Sequence, residues 1–234
     1  MIYLTGDTHG DFTRLYSLRA RPDIDENDTA IVLGDAGVNF YLNDKDRRLK
    51  AKLNRIGFKI FCIHGNHEER PYNIPGYIEI DWKGGKAYAE PEFENLIFAK
   101  DGEIYDLDGI KAIAIGGAYS VDKYYRLANF LPWFPSEQPD DNIKARVEAA
   151  LAANNWKIDI VLSHTMPFSL IPAEGLKGDI DPSTVDNSTE LWMDEIEKRL
   201  DYKKWFCGHF HCQKEIDKIK IMYKDITDLK SEGL

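Results

Sequence analysis

Residues 1–11 read Met-Ile-Tyr-Leu-Thr-Gly-Asp-Thr-His-Gly-Asp. A short apolar run, Ile2 to Leu4, leads directly into a glycine-bounded turn that carries Asp7 and His9. One residue separates the two, so on an extended strand end both side chains point to the same face. The pattern recurs along the chain. The β-branched run Thr29 to Leu33 is followed by Gly34-Asp35, and Phe58 to Ile63 by Gly65-Asn66-His67-Glu68. Lys157 to Ser163 runs into His164, and Trp205 to Cys207 into Gly208-His209-Phe210-His211. These runs read as buried strands. Phe12 to Arg19 and Lys45 to Ile56 place apolar residues at helical spacing between them, so the first third reads β-α-β-α-β. The polar residues fall at the carboxyl ends of strands, where open α/β sheets carry their sites.

Further along, Asn95 to Ala99, Glu103 to Leu107 and Ile110 to Ile115 read as three strands of an antiparallel meander, broken by Asp101-Gly102 and Asp108-Gly109. Pro132, Pro135 and Pro139 exclude a long helix from the aromatic stretch that follows. The segment 117–141 is therefore expected to be an irregular loop on the substrate side of the site. Ile143 to Ala153 and Glu190 to Leu200 read as helices, and Glu215 to Lys224 as a terminal strand pair. The expected fold is α/β, with two packed mixed β-sheets flanked by helices in a single domain over 1–234.

The chain has 234 residues, 43% of them hydrophobic and 30% charged, which suits a packed globular domain. The amino terminus lacks the basic and apolar regions of a signal peptide, and no apolar run approaches the roughly 20 residues of a membrane span. Cys62, Cys207 and Cys212 lack paired CxxC spacing and read as reduced thiols, so a cytoplasmic protein is expected. A net charge of −10 disfavours long duplex nucleic acid, while nucleotides and short single strands stay open as partners.

Five of the six histidines lie in these turns, together with two aspartates and an asparagine. Carboxylate, imidazole and amide donors gathered in one pocket form a ligand list for two metals. The order DxH, GD, GNHE, SH and GHxH over residues 7–211 resembles the calcineurin-like metallophosphoesterase superfamily. The resemblance implies a four-layer αββα sandwich and a dinuclear-metal-dependent phosphoesterase acting on phosphodiesters or phosphomonoesters through a metal-bridging hydroxide. Carried over by motif, Asp7, His9 and His211 hold the first metal, Asp35 bridges, and Asn66, His164 and His209 complete the second. His67 is left to contact phosphate and protonate the leaving oxygen, a task suited to imidazole. Mixed oxygen and nitrogen donors suit Mn²⁺, Fe or Zn²⁺ better than Ca²⁺ without choosing among the three, and Mn²⁺ is the ion expected to support activity.

Protein phosphatases of this superfamily carry a longer second motif, GDxxDRG. Here the run is Gly34-Asp35-Ala36-Gly37-Val38-Asn39, without the second aspartate and the arginine. This sets the chain apart from a serine/threonine protein phosphatase, and the intact ligand set sets it apart from a non-catalytic scaffold on the same fold. Lys123 and Arg126 are candidate phosphate contacts, with neighbouring tyrosines able to stack on a base. Against them stands the plainer reading of an ordinary surface loop. His64 is expected to support the ligands without touching a metal, Glu68 and Asp11 to orient or be solvated, and Trp133 and Phe134 to anchor the loop by packing. Arg70 follows GNHE closely enough to approach the phosphate, but a surface salt bridge accounts for it equally well, and it is left outside the catalytic set.

Overall fold

The computed structural model describes residues 1–173 and 180–234. In chain order its elements are β1 (Ile2–Thr5), α1 (Thr13–Arg19), β2 (Thr29–Val32), α2 (Asp44–Leu53), β3 (Lys59–Cys62), β4 (Ile78–Trp82), β5 (Gly85–Ala89), β6 (Leu96–Ala99), β7 (Ile104–Leu107) and β8 (Ile110–Ile115). Then come α3 (Lys123–Ala128), α4 (Asp141–Ala153), β9 (Ile160–Ser163), α5 (Ser188–Glu197), β10 (Lys204–Cys207), β11 (Lys214–Ile216), β12 (Ile219–Ile221) and β13 (Ile226–Asp228).

Two mixed sheets result. Seven strands run in the order β13-β1-β2-β3-β6-β5-β4 and six in the order β11-β12-β10-β9-β8-β7. Alternation along single strands explains the layering. In β2 and the residue after it, Ala30 and Val32 face the layer of α1 and α2, whereas Ile31 and Leu33 face the second sheet. In β9, Ile160 and Leu162 meet the first sheet, while Val161 packs under α4 and α5 with Val147, Leu151 and Met193. Both faces of each strand are buried, so the runs read as continuously apolar. Each such side chain contributes roughly 1.5–3 kcal/mol by burial. Helix starts follow local chemistry: Asn43 Oδ1 accepts from Lys45 N at 2.8 Å to cap α2, and Asp140 Oδ1 accepts from Ile143 N at 2.8 Å to cap α4.

Parallel pairing aligns the strand ends that matter. Thr5 pairs with Val32 and Val32 with Cys62 in the first sheet, and Ile115 pairs with Ser163 in the second. The turns that follow β1, β2, β3 and β9 therefore emerge from one edge of the sandwich.

The meander expected over 95–115 does not form. Leu96–Ala99 lies in the first sheet, parallel to β3 and antiparallel to β5, whereas β7 and β8 form a hairpin in the second sheet. Asp101-Gly102 is a crossing between sheets rather than a hairpin turn. Buried Asp101 anchors it, accepting from Gly116 N at 2.6 Å through Oδ1 and pairing with Arg70 through Oδ2. The β4–β5 hairpin, turning at Lys83 and Gly84 with φ of 46° and 85°, and the edge strand β13 were not anticipated. The segment expected to be wholly irregular contains the short helix α3.

Candidate metal centre and adjoining cavity

Asp7, His9, Asp35, Asn66, His164, His209 and His211 converge at that edge. Asp7 is buried, accepts from His209 N at 2.9 Å through Oδ1, and has Oδ2 3.1 Å from His211 Nε2. His9 Nε2 is 3.0 Å from His211 Nε2. A second group forms around Asn66, whose Oδ1 is 2.8 Å from His164 Nε2 and 3.1 Å from His209 Nδ1. Asp35 lies between the groups, with Oδ2 3.8 Å from His9 Nε2 and Oδ1 3.7 Å from His164 Nε2. Asp7, His9 and His211, and likewise Asp7, Asp35 and His164, bring one ligand atom each to within 4.8 Å of one another.

Supporting bonds set which atoms face inward. His164 Nδ1 donates to the Leu33 carbonyl at 2.8 Å, which turns Nε2 toward the site. Asn66 Nδ2 donates to Ser120 Oγ at 2.8 Å, which turns Oδ1 the same way. Arg14 donates to the Asp7 and Tyr223 carbonyls and clamps the first turn. With those orientations an imidazole nitrogen and an amide oxygen, both acceptors, oppose each other at 2.8 Å. Acceptors crowd in this way only around a proton or a cation, and the donor set fits divalent metal.

The backbone is strained to bring them there. His9, Asp35, His209 and His211 adopt φ of 47°, 46°, 67° and 50°, a region that costs non-glycine residues roughly 1–2 kcal/mol each. Gly34 has φ +92°, and a Cβ on it would lie 2.0 Å from His164 Nδ1. Gly34→Ala is expected to destabilise the protein by roughly 3 kcal/mol or more in urea unfolding. Gly109→Ala, with φ +93° and nothing within 4 Å, should cost only about 1 kcal/mol. Equal losses would refute the clash.

Burial alone raises the Asp35 pKa, but His164, His67 and His9 outweigh it and hold the carboxyl below the ordinary carboxylate range. Burial works against a charged His164, yet Asp35 and Asp7 raise its pKa above that of free imidazole. Burial, reinforced by His164, pushes His209 down to about 3, leaving a neutral imidazole.

His67 is half-buried beside the cluster, with its ring centroid 5.8 Å from that of His9 and its amide N–H donating to Asp35 Oδ1 at 2.8 Å. Burial lowers its pKa; Asp35 opposes this and Arg126 adds to it. Lys123 and Arg126 are not brought into the cluster. Lys123 Nζ lies 4.3 Å from the Trp133 ring centroid, and Arg126 Nε donates to Asp122 Oδ2 at 2.8 Å. His64 is buried behind Gly116, outside the donor groups, and burial pushes its pKa well down. Glu68 orients the GNHE turn by accepting from Gly65 N at 2.9 Å, and Asp11 accepts from Thr13 N at 3.0 Å at the start of α1. Arg70 makes no surface salt bridge. It is buried against Asp101 and donates to the Ser136 carbonyl at 2.8 Å, tying the turn to the sheet crossing.

A cavity of about 280 Å³ opens beside Asp35, Asn66 and His67. Its far wall includes Tyr119, Val121, Ile171, Val185, Phe210 and Glu190. Of these, Tyr119 and Val121 lie in the 117–141 segment, Phe210 in the GHxH motif and Glu190 in the helix expected from Glu190 to Leu200. Ile171 and Val185 carry no motif.

A family model described as calcineurin-like phosphoesterase matches residues 1–213. No curated protein matches the chain. One solved crystal structure superposes with a TM-score of 0.56 at 13% identity, covering 98% of this chain and 95% of that one. The phosphopantetheinyl hydrolase PptH from Mycobacterium tuberculosis is 15% identical with a TM-score of 0.48, over 95% of this chain and 87% of its own. At such identities the likeness is one of fold.

Proposed function

The chain belongs to the calcineurin-like phosphoesterase family, and on that premise we propose that it hydrolyses phosphate monoesters or diesters at two divalent cations. Asp7, His9 and His211 would hold one, Asn66, His164 and His209 the other, with Asp35 shared. The observation that carries this reading is the placement of Asp35, one oxygen facing His9 and the other facing His164. When bound, such ions supply Lewis acidity toward phosphate oxygens and ionise a water at neutral pH.

The chain's own groups do the rest. Buried Asp7 and Asp35 offer carboxyl oxygens, Asp35 held ionised by the imidazoles around it, while neutral His209 offers a lone pair. His67 is the one histidine beside the cluster outside both donor groups, and it delivers a proton to the leaving oxygen. Lys123 and Arg126 would join the phosphate only by leaving Trp133 and Asp122; of the two, Arg126 is the one whose charge is felt at His67. Between a nucleotide or nucleic-acid end and a smaller ester, the carboxylates in the cavity wall favour the smaller ester. No helix among the described residues is long and apolar enough to cross a membrane; the cytoplasmic reading rests on cysteine usage.

Metal-stripped protein should be inert toward bis-p-nitrophenyl phosphate and p-nitrophenyl phosphate, and Mn²⁺ should restore hydrolysis of at least one, with Fe and Zn²⁺ as comparisons. Silence on both compounds with metals confirmed bound would overturn the proposal.

A further inference from the structure

The cavity beside the donor cluster has room for roughly nine water-sized groups. Away from the cluster its wall is apolar, formed by Tyr119, Val121, Ile171, Val185 and Phe210. No lysine or arginine lines it among the described residues; its charged groups beyond the cluster are Asp122 and Glu190. Asp122 is engaged by Arg126 through Oδ2. Glu190 differs: it is 5% exposed, and its Oε2 has no hydrogen-bond partner among the described residues. The Thr165 hydroxyl and the Glu190 amide steady the carboxyl, yet Oε2 keeps no hydrogen bond, and a buried acceptor left so carries an uncompensated desolvation cost. Burial pushes the Glu190 pKa to about 7 against the lowering effect of those two donors.

We infer that this cavity receives the organic moiety of the ester, and that Glu190 determines specificity by accepting a hydrogen bond from an N–H or O–H of that moiety. The substrate class is then an ester with one phosphate and an otherwise uncharged, largely apolar body. Nucleoside polyphosphates and nucleic-acid strands would bring further negative charge against Asp122 and Glu190 with no cation among the described wall residues to meet it. The inference rests on the phosphoesterase reading, and two separate readouts test it.

The first compares kcat/KM of the Mn²⁺-loaded protein for p-acetamidophenyl phosphate, which presents an amide N–H, and p-acetylphenyl phosphate, which does not. Glu190→Leu is expected to lower the ratio of the first to the second about tenfold, the loss of one buried hydrogen bond. Glu190→Gln keeps an acceptor oxygen at the same reach and should recover part of the ratio. The second readout needs no metal: metal-stripped protein should bind p-acetamidophenol in calorimetry, more weakly by a similar factor in Glu190→Leu. Val185→Trp, which fills the cavity from another segment, should abolish that binding, and it carries the test if the leucine variant does not fold. An unchanged ratio in folded Glu190→Leu, or wild-type preference for ADP or a trinucleotide over both aryl esters, would overturn the inference. Failure to hydrolyse any ester, with phenol binding intact, would instead strike the phosphoesterase reading.

Discussion

Asp35→Ala is expected to lower phosphoester turnover by at least about a thousandfold, equivalent to roughly 4 kcal/mol of barrier. Asp35 turns its two oxygens to different donor groups, 3.8 Å from His9 Nε2 and 3.7 Å from His164 Nε2. Its Oδ1 also accepts the His67 amide at 2.8 Å, so its loss would remove the proposed shared ligand and loosen the turn that carries the proposed proton donor. Buried negative charge disappears from between imidazoles, and cation affinity should fall with it. The same variant is therefore expected to retain less than about half of the wild-type metal by elemental analysis. Turnover within tenfold of wild type, or an undiminished metal content, would sink the assignment of Asp35 as the shared ligand.

His67→Ala should separate two roles that the fold places side by side. General acid catalysis is worth about 10²–10⁴-fold, and its loss is felt most where the departing oxygen is basic. An alkyl phosphate ester should thus slow by a factor in that range, while p-nitrophenyl esters, whose leaving group departs unaided, should slow far less. His67 lies beside the metal-ligand cluster without belonging to either donor group, so bound metal should stay at the wild-type level. Equal slowing of both ester types would assign His67 to phosphate binding. Full turnover of the alkyl ester would remove it from the reaction. The question is sharpened by Val38 and Asn39, which stand where protein phosphatases carry the aspartate and arginine around this histidine. In this chain the charges that act on His67 include Asp122 and Arg126, which come from the 117–141 segment.

The donor cluster was legible because each part of it is local. Asp7 with His9, Gly65 through Glu68, and Gly208 through His211 are strand ends plus turns, and a few residues specify each turn and the glycine it needs. The alternation of β2 and β9 was legible for a similar reason, since burial on both faces demands apolar residues throughout. Strand partners are another matter. Leu96–Ala99 and Ile104–Leu107 are equally apolar and close in sequence, yet they belong to different sheets. What separates them is Asp101, buried between Arg70 and the Gly116 amide, and both partners are remote in the chain.

By itself, then, the sequence determined that this chain folds as two packed sheets between helices, and that metal-binding side chains gather at one edge. Composition, the two-residue period and short turns are properties of neighbouring residues. Only the tertiary structure decided that Arg70 is a buried tie rather than a surface charge, that Lys123 and Arg126 turn to Trp133 and Asp122, and that Glu190, with Oε2 lacking a hydrogen bond, lines a cavity beside the candidate metal centre. Those outcomes depend on which distant surfaces compete for the same side chain. Contact free energies of about 1 kcal/mol settle that competition, and local sequence carries no record of it.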